Sequence, residues 1–194
     1  MPITTELDAI NTLLSSIGTA PVTNTATANT DAVMAKNYID RARREIQTEK
    51  WWFNTEQNYT LTPDINGEIP LEKNIINIDS IGRFGETNPY IPRGQKLYDR
   101  LNHTYNINKP VTVNITYCLD FDDIPETAVQ YIIAKAARKY QEELLGDPSL
   151  RTWTKEDEAT ARGRLLDEEL RVTKPSFGAL PKQDPTVLMD LRNI

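Results

Sequence analysis

One cysteine, Cys118, and one histidine, His103, are all that this chain offers of thiol and imidazole chemistry. A lone cysteine excludes an intrachain disulfide and a thiolate-rich zinc site. Any histidine-based triad would have to use His103, which lies in a polar stretch between Asn102 and Thr104 and reads as a surface residue. No apolar run approaches the roughly 20 residues needed to span a bilayer. The opening Met-Pro-Ile-Thr-Thr-Glu has neither the basic region nor the apolar core of a secretory signal. With so little cysteine, the expectation is a protein made in, and working from, a reducing cytoplasm. Excess positive charge is missing too. A net charge of −6 and a pI near 4.9 disfavour a DNA-backbone binder, which relies on clustered Lys and Arg. Glycine is sparse beside proline, 8 against 12, so the loops are stiff rather than linker-like.

What is present fits one folded domain with an additional arm. The 194 residues suffice for a real core, and an apolar fraction of 39% leaves much polar surface or segments that order against partners. Thr5 and Asp8 have capping-box spacing, and Leu7, Ile10, Leu13, Leu14 and Ile17 form a helical stripe that Gly18 ends. Asn29, Thr30 and Asp31 compete to cap a second helix, in which Ala35, Tyr38, Ile39, Ala42 and Ile46 share one face. That helix runs into Trp51-Trp52-Phe53, after which the period changes to that of a strand, Tyr59-Thr60-Leu61-Thr62.

The middle of the chain reads as β. Asp64-Ile65-Asn66-Gly67 is a hairpin signal, and Ile75, Ile76, Ile78 and Ile81 mark a further strand or two. Lys96 to Arg100 is a short strand. Val111, Val113, Ile115, Tyr117 and Leu119 alternate with polar residues, as in an antiparallel sheet with one buried face. Helix then returns. Pro125 sits near a helix start, Val129, Ile132, Ile133, Ala136, Ala137, Tyr140 and Leu144 follow at helical spacing, and Gly146 closes. Asp147-Pro148 starts a last helix with a looser stripe of Leu150, Trp153, Ala161, Leu165, Leu166 and Leu170, packed antiparallel on its predecessor. From Thr173 the prolines 175, 181 and 185 forbid a long helix. Phe177, Leu180, Val187, Leu188, Met189 and Leu191 are nonetheless too apolar for a solvated tail, which points to an arm docked on a partner surface.

Chemistry finds few footholds. Cys118 falls on the polar side of its strand with no basic neighbour to lower its pKa, so it reads as a packing residue. Asp120, Asp122, Asp123 and Glu126 resemble paired carboxylates or a calcium site. Acids before Pro125 are also what the positive end of a helix favours, and that reading is the stronger. Asp64 to Glu68 mimics the start of a calcium loop, but the far bidentate Glu is absent, Ile75 standing there. Arg41, Arg43, Arg44 and Lys50 sit among Asp40, Glu45 and Glu49, the pattern of a solvated, ion-paired helix face. A phosphate loop, a dinucleotide fingerprint and a nucleophile elbow are all missing from the sequence.

Several collinear pieces resemble the tail tubular protein A family of short-tailed bacteriophages. They are Glu6-Leu7-Asp8-Ala9-Ile10-Asn11, Ser16-Ile17-Gly18, Pro21-Val22, Ile46-Gln47 and Trp52-Phe53-Asn54. The order continues through Leu61-Thr62-Pro63-Asp64, Tyr98-Asp99-Arg100, Val113-Asn114-Ile115, Asp122 to Glu126 and Lys135-Ala136-Ala137-Arg138, covering roughly positions 6 to 172. The resemblance implies a structural protein without catalytic residues, cofactor or metal. It implies a twelve-copy adaptor or gatekeeper ring beneath the portal, joined to the tail nozzle, helping to hold the tail fibres, with DNA leaving through it and no membrane insertion. Such a subunit would assemble in the host cytoplasm and reside in the virion tail. The alternatives are a polysaccharide- or peptidoglycan-degrading tail enzyme built on Asp122 and Asp123, or a head-completion adaptor of another phage type.

The expected fold is α+β. About four helices pack with a small antiparallel β domain inserted between the second and third, followed by an extended C-terminal arm. The boundaries are 1–56 for the first helical part, 57–121 for the β domain, 122–172 for the closing helical pair and 173–194 for the arm. Aromatic rings bury the most area, so the helix-to-strand seam is expected to rest on Trp52 and Phe53, with Trp51 partly exposed. On that expectation Trp52→Ala costs roughly 3–5 kcal/mol.

Overall fold

Thr5 opens the first helix with a reciprocal cap. Its hydroxyl accepts from the Asp8 amide at 3.1 Å, and the Asp8 carboxylate accepts from the Thr5 amide at 3.0 Å. Two of the orphan donors of a helix start are thereby satisfied. The computed structural model describes residues 3–24, 29–80, 89–146, 149 and 152–173. Helix α1 spans Glu6–Ser16 and buries Ala9, Ile10, Leu13 and Leu14. Helix α2, Thr30–Gln47, is capped by the Asn29 side chain and buries all five residues of its predicted face. Helix α3, Glu126–Leu144, begins directly after Pro125 and buries its stripe from Val129 to Tyr140. These three helices pack on one another, with Tyr38 and Tyr140 meeting edge to face at 5.3 Å. Helix α4, Lys155–Thr173, lies against α3.

Among the described residues between α2 and α3 run five strands: β1 Thr55–Leu61, β2 Ile75–Ser80, β3 Tyr90–Arg93, β4 Lys96–Asp99 and β5 Val111–Tyr117. β5 is central in an antiparallel sheet of order β1-β5-β2, and β3 and β4 form a separate ribbon. Leu61, Ile69, Leu71, Ile78, Leu97, Val111, Val113 and Ile115 make a second core, distinct from the helical one. The α+β class and the placement of the β segment between the second and third helices agree with the sequence reading.

Several expectations are corrected. The Asp64–Gly67 turn forms, with Gly67 donating to the Asp64 carbonyl at 3.0 Å, but it does not join paired strands. β1 and β2 each pair with β5 instead. Pro63 and Pro70 flank the turn without N–H donors, and the returning segment makes only isolated bridges, at Glu68 and Pro70. Gly67 itself is required there. Its φ is +77°, and a Cβ would collide with the Asn106 and Asn108 side chains. In β5, Ile115 and Thr116 are both fully buried, so that end of the strand is covered on both faces rather than one. Helix α4 begins at Lys155, where Thr154 and Asp157 cap each other. The proposed start at Asp147-Pro148 lies outside the described residues. Of the described residues of its expected stripe only Leu165 is buried; Trp153 and Ala161 are half-buried, and Leu166 and Leu170 face solvent, as does Leu144 at the end of α3, while Leu150 lies outside the described residues. One narrow face of α4 meets α3, too narrow to cover the whole apolar set. The arm residues Phe177, Leu180, Val187, Leu188, Met189 and Leu191 also lie outside the described residues.

Candidate functional site

The joint at which α2 gives way to β1 is held by a cluster of buried groups. Lys50 takes a left-handed φ of 63°, and the chain turns so that Trp51 enters the helical core. The expectation for the aromatic triplet is reversed here. Trp51 is 4% exposed, whereas Trp52 and Phe53 are half-buried against the core. The indole Nε1 of Trp51 donates to the Ile46 carbonyl at 2.9 Å, which lets a polar ring tip sit inside. Three bulky rings in succession cannot all point inward from one turn. Trp52 and Phe53 therefore stack edge to face at 5.2 Å on the rim.

Two buried amides complete the joint. Asn54, 2% exposed, accepts from the Trp51 amide at 2.9 Å and donates to the carbonyls of Gln47 at 2.8 Å and Tyr117 at 2.9 Å. Gln47, 0% exposed, accepts from the Leu119 amide at 2.7 Å and donates to the Leu119 carbonyl at 3.1 Å. The Arg43 guanidinium also donates to the Leu119 carbonyl. The last turn of α2, the start of β1 and the end of β5 are thus tied by side chains whose amides have no water to fall back on. The amides of Gln47 and Asn54 are satisfied, which holds the joint in one geometry, while the Nε of the neighbouring Arg43 is buried without a partner among the described residues. Sequence reasoning passed over Gln47 and Asn54 as site residues. The available signal was a polar amide at each edge of an apolar cluster, Ile46-Gln47 and Phe53-Asn54.

Ion pairs bind the helices around this joint. Glu45 on α2 takes Lys135 at 3.0 Å and Lys139 at 2.8 Å from α3, and the Lys139 hydrogen bond leads in holding its carboxyl below the ordinary value. Arg138 joins α3 to Glu158 of α4 at 2.5 Å, and Arg162 of α4 reaches Glu49 at 3.1 Å. Glu169 accepts from the Trp52 amide at 3.0 Å, anchoring α4 to the joint itself.

At the start of α3, Glu126 clasps the N-terminal segment. It accepts from the amides of Ile3 at 2.8 Å and Thr4 at 3.1 Å, from the Thr4 hydroxyl at 2.6 Å and from Gln130 at 2.7 Å. Partial burial pushes this carboxyl up, but the hydrogen bonds from Thr4, Gln130 and Ile3 outweigh it and bring it from 4.5 down to about 2. A depressed folded pKa contributes stability above the unfolded value that is lost as pH falls through the folded one. The clasp is therefore expected to hold above pH 4.5 and to loosen progressively towards pH 2. Hydrogen exchange at the Ile3 and Thr4 amides should show this window in the wild type. In Glu126→Gln the protection, taken relative to the intrinsic exchange rate at each pH, should be lower and flat across it, and an unchanged profile would refute the clasp.

The residues considered for chemistry are not gathered into one place. Asp122 and Asp123 are exposed in a single 3-10 turn, Phe121–Asp123, ahead of α3, while Asp120 pairs with Arg43 at 3.3 Å. His103 is exposed in a distant turn, and Cys118 is half-buried beside Gln47 at 3.9 Å. Among the described residues no three His, Cys, Asp or Glu side chains are placed to hold a metal ion, and no helix is long and apolar enough to cross a membrane. A groove of about 490 Å³ between α1 and Trp153 is lined by Asp8, Asn11, Thr12, Ser15, Ser16 and Thr152. Its one carboxylate is already engaged in capping α1.

The family model described as tail tubular protein matches residues 7–175, which places the chain among the structural components of bacteriophage tails. Tail tubular protein A of Klebsiella phage KP34 is 30% identical over 167 residues, spanning 86% of this chain and 87% of that relative. The chain belongs to the tail tubular protein family.

Proposed function

We propose that this protein is the subunit of a dodecameric head-to-tail adaptor ring that joins the portal to the tail nozzle, helps to seat the tail fibres and lines part of the DNA ejection channel. Family membership over most of the chain is the observation that carries this reading. The joint supplies its physical counterpart. By tying a helical core to a β core through Gln47 and Asn54, it sets two distinct surfaces at a fixed angle, one for a partner above and one for a partner below. In this reading Trp52 and Phe53, half-buried at the rim, brace that angle. The net charge of −6 suits a channel that repels DNA phosphates and lets the duplex slide.

The purified full chain, mixed with the portal and nozzle proteins of its own phage and imaged by electron microscopy, should form rings that stack between the two. A chain that stays monomeric with both partners would sink the proposal, and lumen-facing side chains that are mainly Lys or Arg would remove the sliding argument. The same assay addresses the proline-punctuated arm. A chain ended at Thr173 should remain folded but lose ring formation or portal docking, and normal assembly would deprive the arm of that role.

A further inference from the structure

Of the chain's asparagines only Asn66 precedes a glycine, and the turn before β2 leaves it exposed. In an open peptide such a pair is chemically labile. Glycine has no Cβ to hinder its amide nitrogen from reaching the side chain before it. The Asn66 carboxamide has no hydrogen-bond partner among the described residues, so its electrophilic Cγ stands open to attack.

The backbone around it is held firmly. Asp64 Oδ1 accepts from the amides of Asn66 at 2.8 Å and Glu68 at 3.0 Å. The Gly67 amide donates to the Asp64 carbonyl at 3.0 Å, and the Gly67 carbonyl accepts from the amides of Ile107 at 2.8 Å and Asn108 at 3.1 Å. Gly67 is buried, and the Asn106 and Asn108 side chains crowd it so closely that no Cβ would fit. A labile side chain therefore sits beside a nucleophile that is both hydrogen-bonded and wedged.

We propose that Asn66 is a site of spontaneous deamidation gated by opening of this turn, and that the isoaspartyl product cannot return to the native turn. A solvent base removes the Gly67 amide proton, the nitrogen bonds to Asn66 Cγ, and the Cγ–Nδ2 bond breaks as ammonia leaves with a proton from water. Water then opens the cyclic imide at either carbonyl, giving aspartate or isoaspartate at position 66. Ring closure rotates the peptide between Asn66 and Gly67. That rotation breaks the bond to Asp64 and draws the Gly67 carbonyl away from Ile107 and Asn108, so only locally opened molecules react. Aspartate is accepted in turns and fits back. Isoaspartate lengthens the main chain by one carbon, and Gly67 has no slack between Asn106 and Asn108. Ile69, two residues on, belongs to the β core, so the damage reaches the core. None of this depends on the ring reading.

The test holds the full chain in neutral buffer, native or in guanidinium chloride, and follows deamidation at Asn66 by peptide mapping and mass spectrometry. The native rate should be lower by about tenfold or more. Asp64→Ala, which frees the Asn66 and Glu68 amides, should keep the wild-type circular-dichroism spectrum and react several-fold faster than wild type. Equal native and denatured rates for the wild type would overturn the gating, whether or not the variant folds. Chains aged in the denaturant, refolded and separated by product supply the second readout. The isoaspartyl chain should lose hydrogen-exchange protection at the Ile107 and Asn108 amides, while Asn66→Asp keeps it. Equal protection in the two, high or low, would overturn the one-way step.

Discussion

Trp51→Ala is expected to lower the unfolding free energy by about 3–5 kcal/mol, the cost of truncating a large ring in a packed core. The indole is buried among the helices, and its loss also strips the Ile46 carbonyl of its Nε1 donor. Trp52→Ala, next in the chain, should cost only about 1–2 kcal/mol, because that ring is half-buried on the rim and its site is open to solvent. Urea unfolding followed by far-UV circular dichroism measures both. Equal losses, or a larger loss at Trp52, would show that the order of burial given by the joint is wrong.

The second large effect belongs to Asn54→Ala. Truncation leaves the buried Trp51 amide without its acceptor and takes a donor from the Gln47 carbonyl, which keeps only a long bond from the Lys50 amide at 3.5 Å, and from the part-buried Tyr117 carbonyl. At roughly 1–3 kcal/mol for each group left unsatisfied, and with partial relaxation, a total loss of about 3 kcal/mol is expected. Its signature should differ from that of Trp51→Ala. Among the described residues the helical and β elements pack mainly within their own groups, so loss of this joint should separate their unfolding. Denaturant transitions followed by hydrogen exchange at the β5 amides and at the α3 amides are expected to coincide in the wild type and to diverge in Asn54→Ala. Coincident transitions with a loss below about 1 kcal/mol would mean that the amides do not couple the cores.

The same joint shows how far local sequence patterns reach. The apolar faces of α1, α2 and α3 and the alternation in β5 were legible because each period, 3.6 or 2, is a local property that burial on one side writes directly into the chain. The Thr5–Asp8 cap was legible for a similar reason, since both partners lie within one turn. The order of the three aromatic rings was not. Trp51 and Trp52 are chemically identical, and which of them enters the core depends on the left-handed turn at Lys50 and on the packing around Ile46. The leucines of α4 misled in the opposite direction. Their spacing describes two stripes, and only the position of α3 decides that Leu165 is inside while Leu166 and Leu170 remain out.

The hairpin signal at Asn66-Gly67 marks the same limit. A turn needs four residues and its chemistry is complete within them, so the turn is there. Strand pairing needs a partner, and β5, some 45 residues on from the turn, offers β1 and β2 a better ladder than the proline-flanked segments offer each other. By itself, then, the sequence determined the helices, the alternating strand, the α+β class and, through its collinear motifs, the tail protein family. Only the tertiary structure decided the β1-β5-β2 order, the choice of Trp51 as anchor and the use of Gln47 and Asn54 as the tie between two cores. Those are settled by groups distant in the chain competing for the same buried space and the same hydrogen-bond partners, a competition that no local period records.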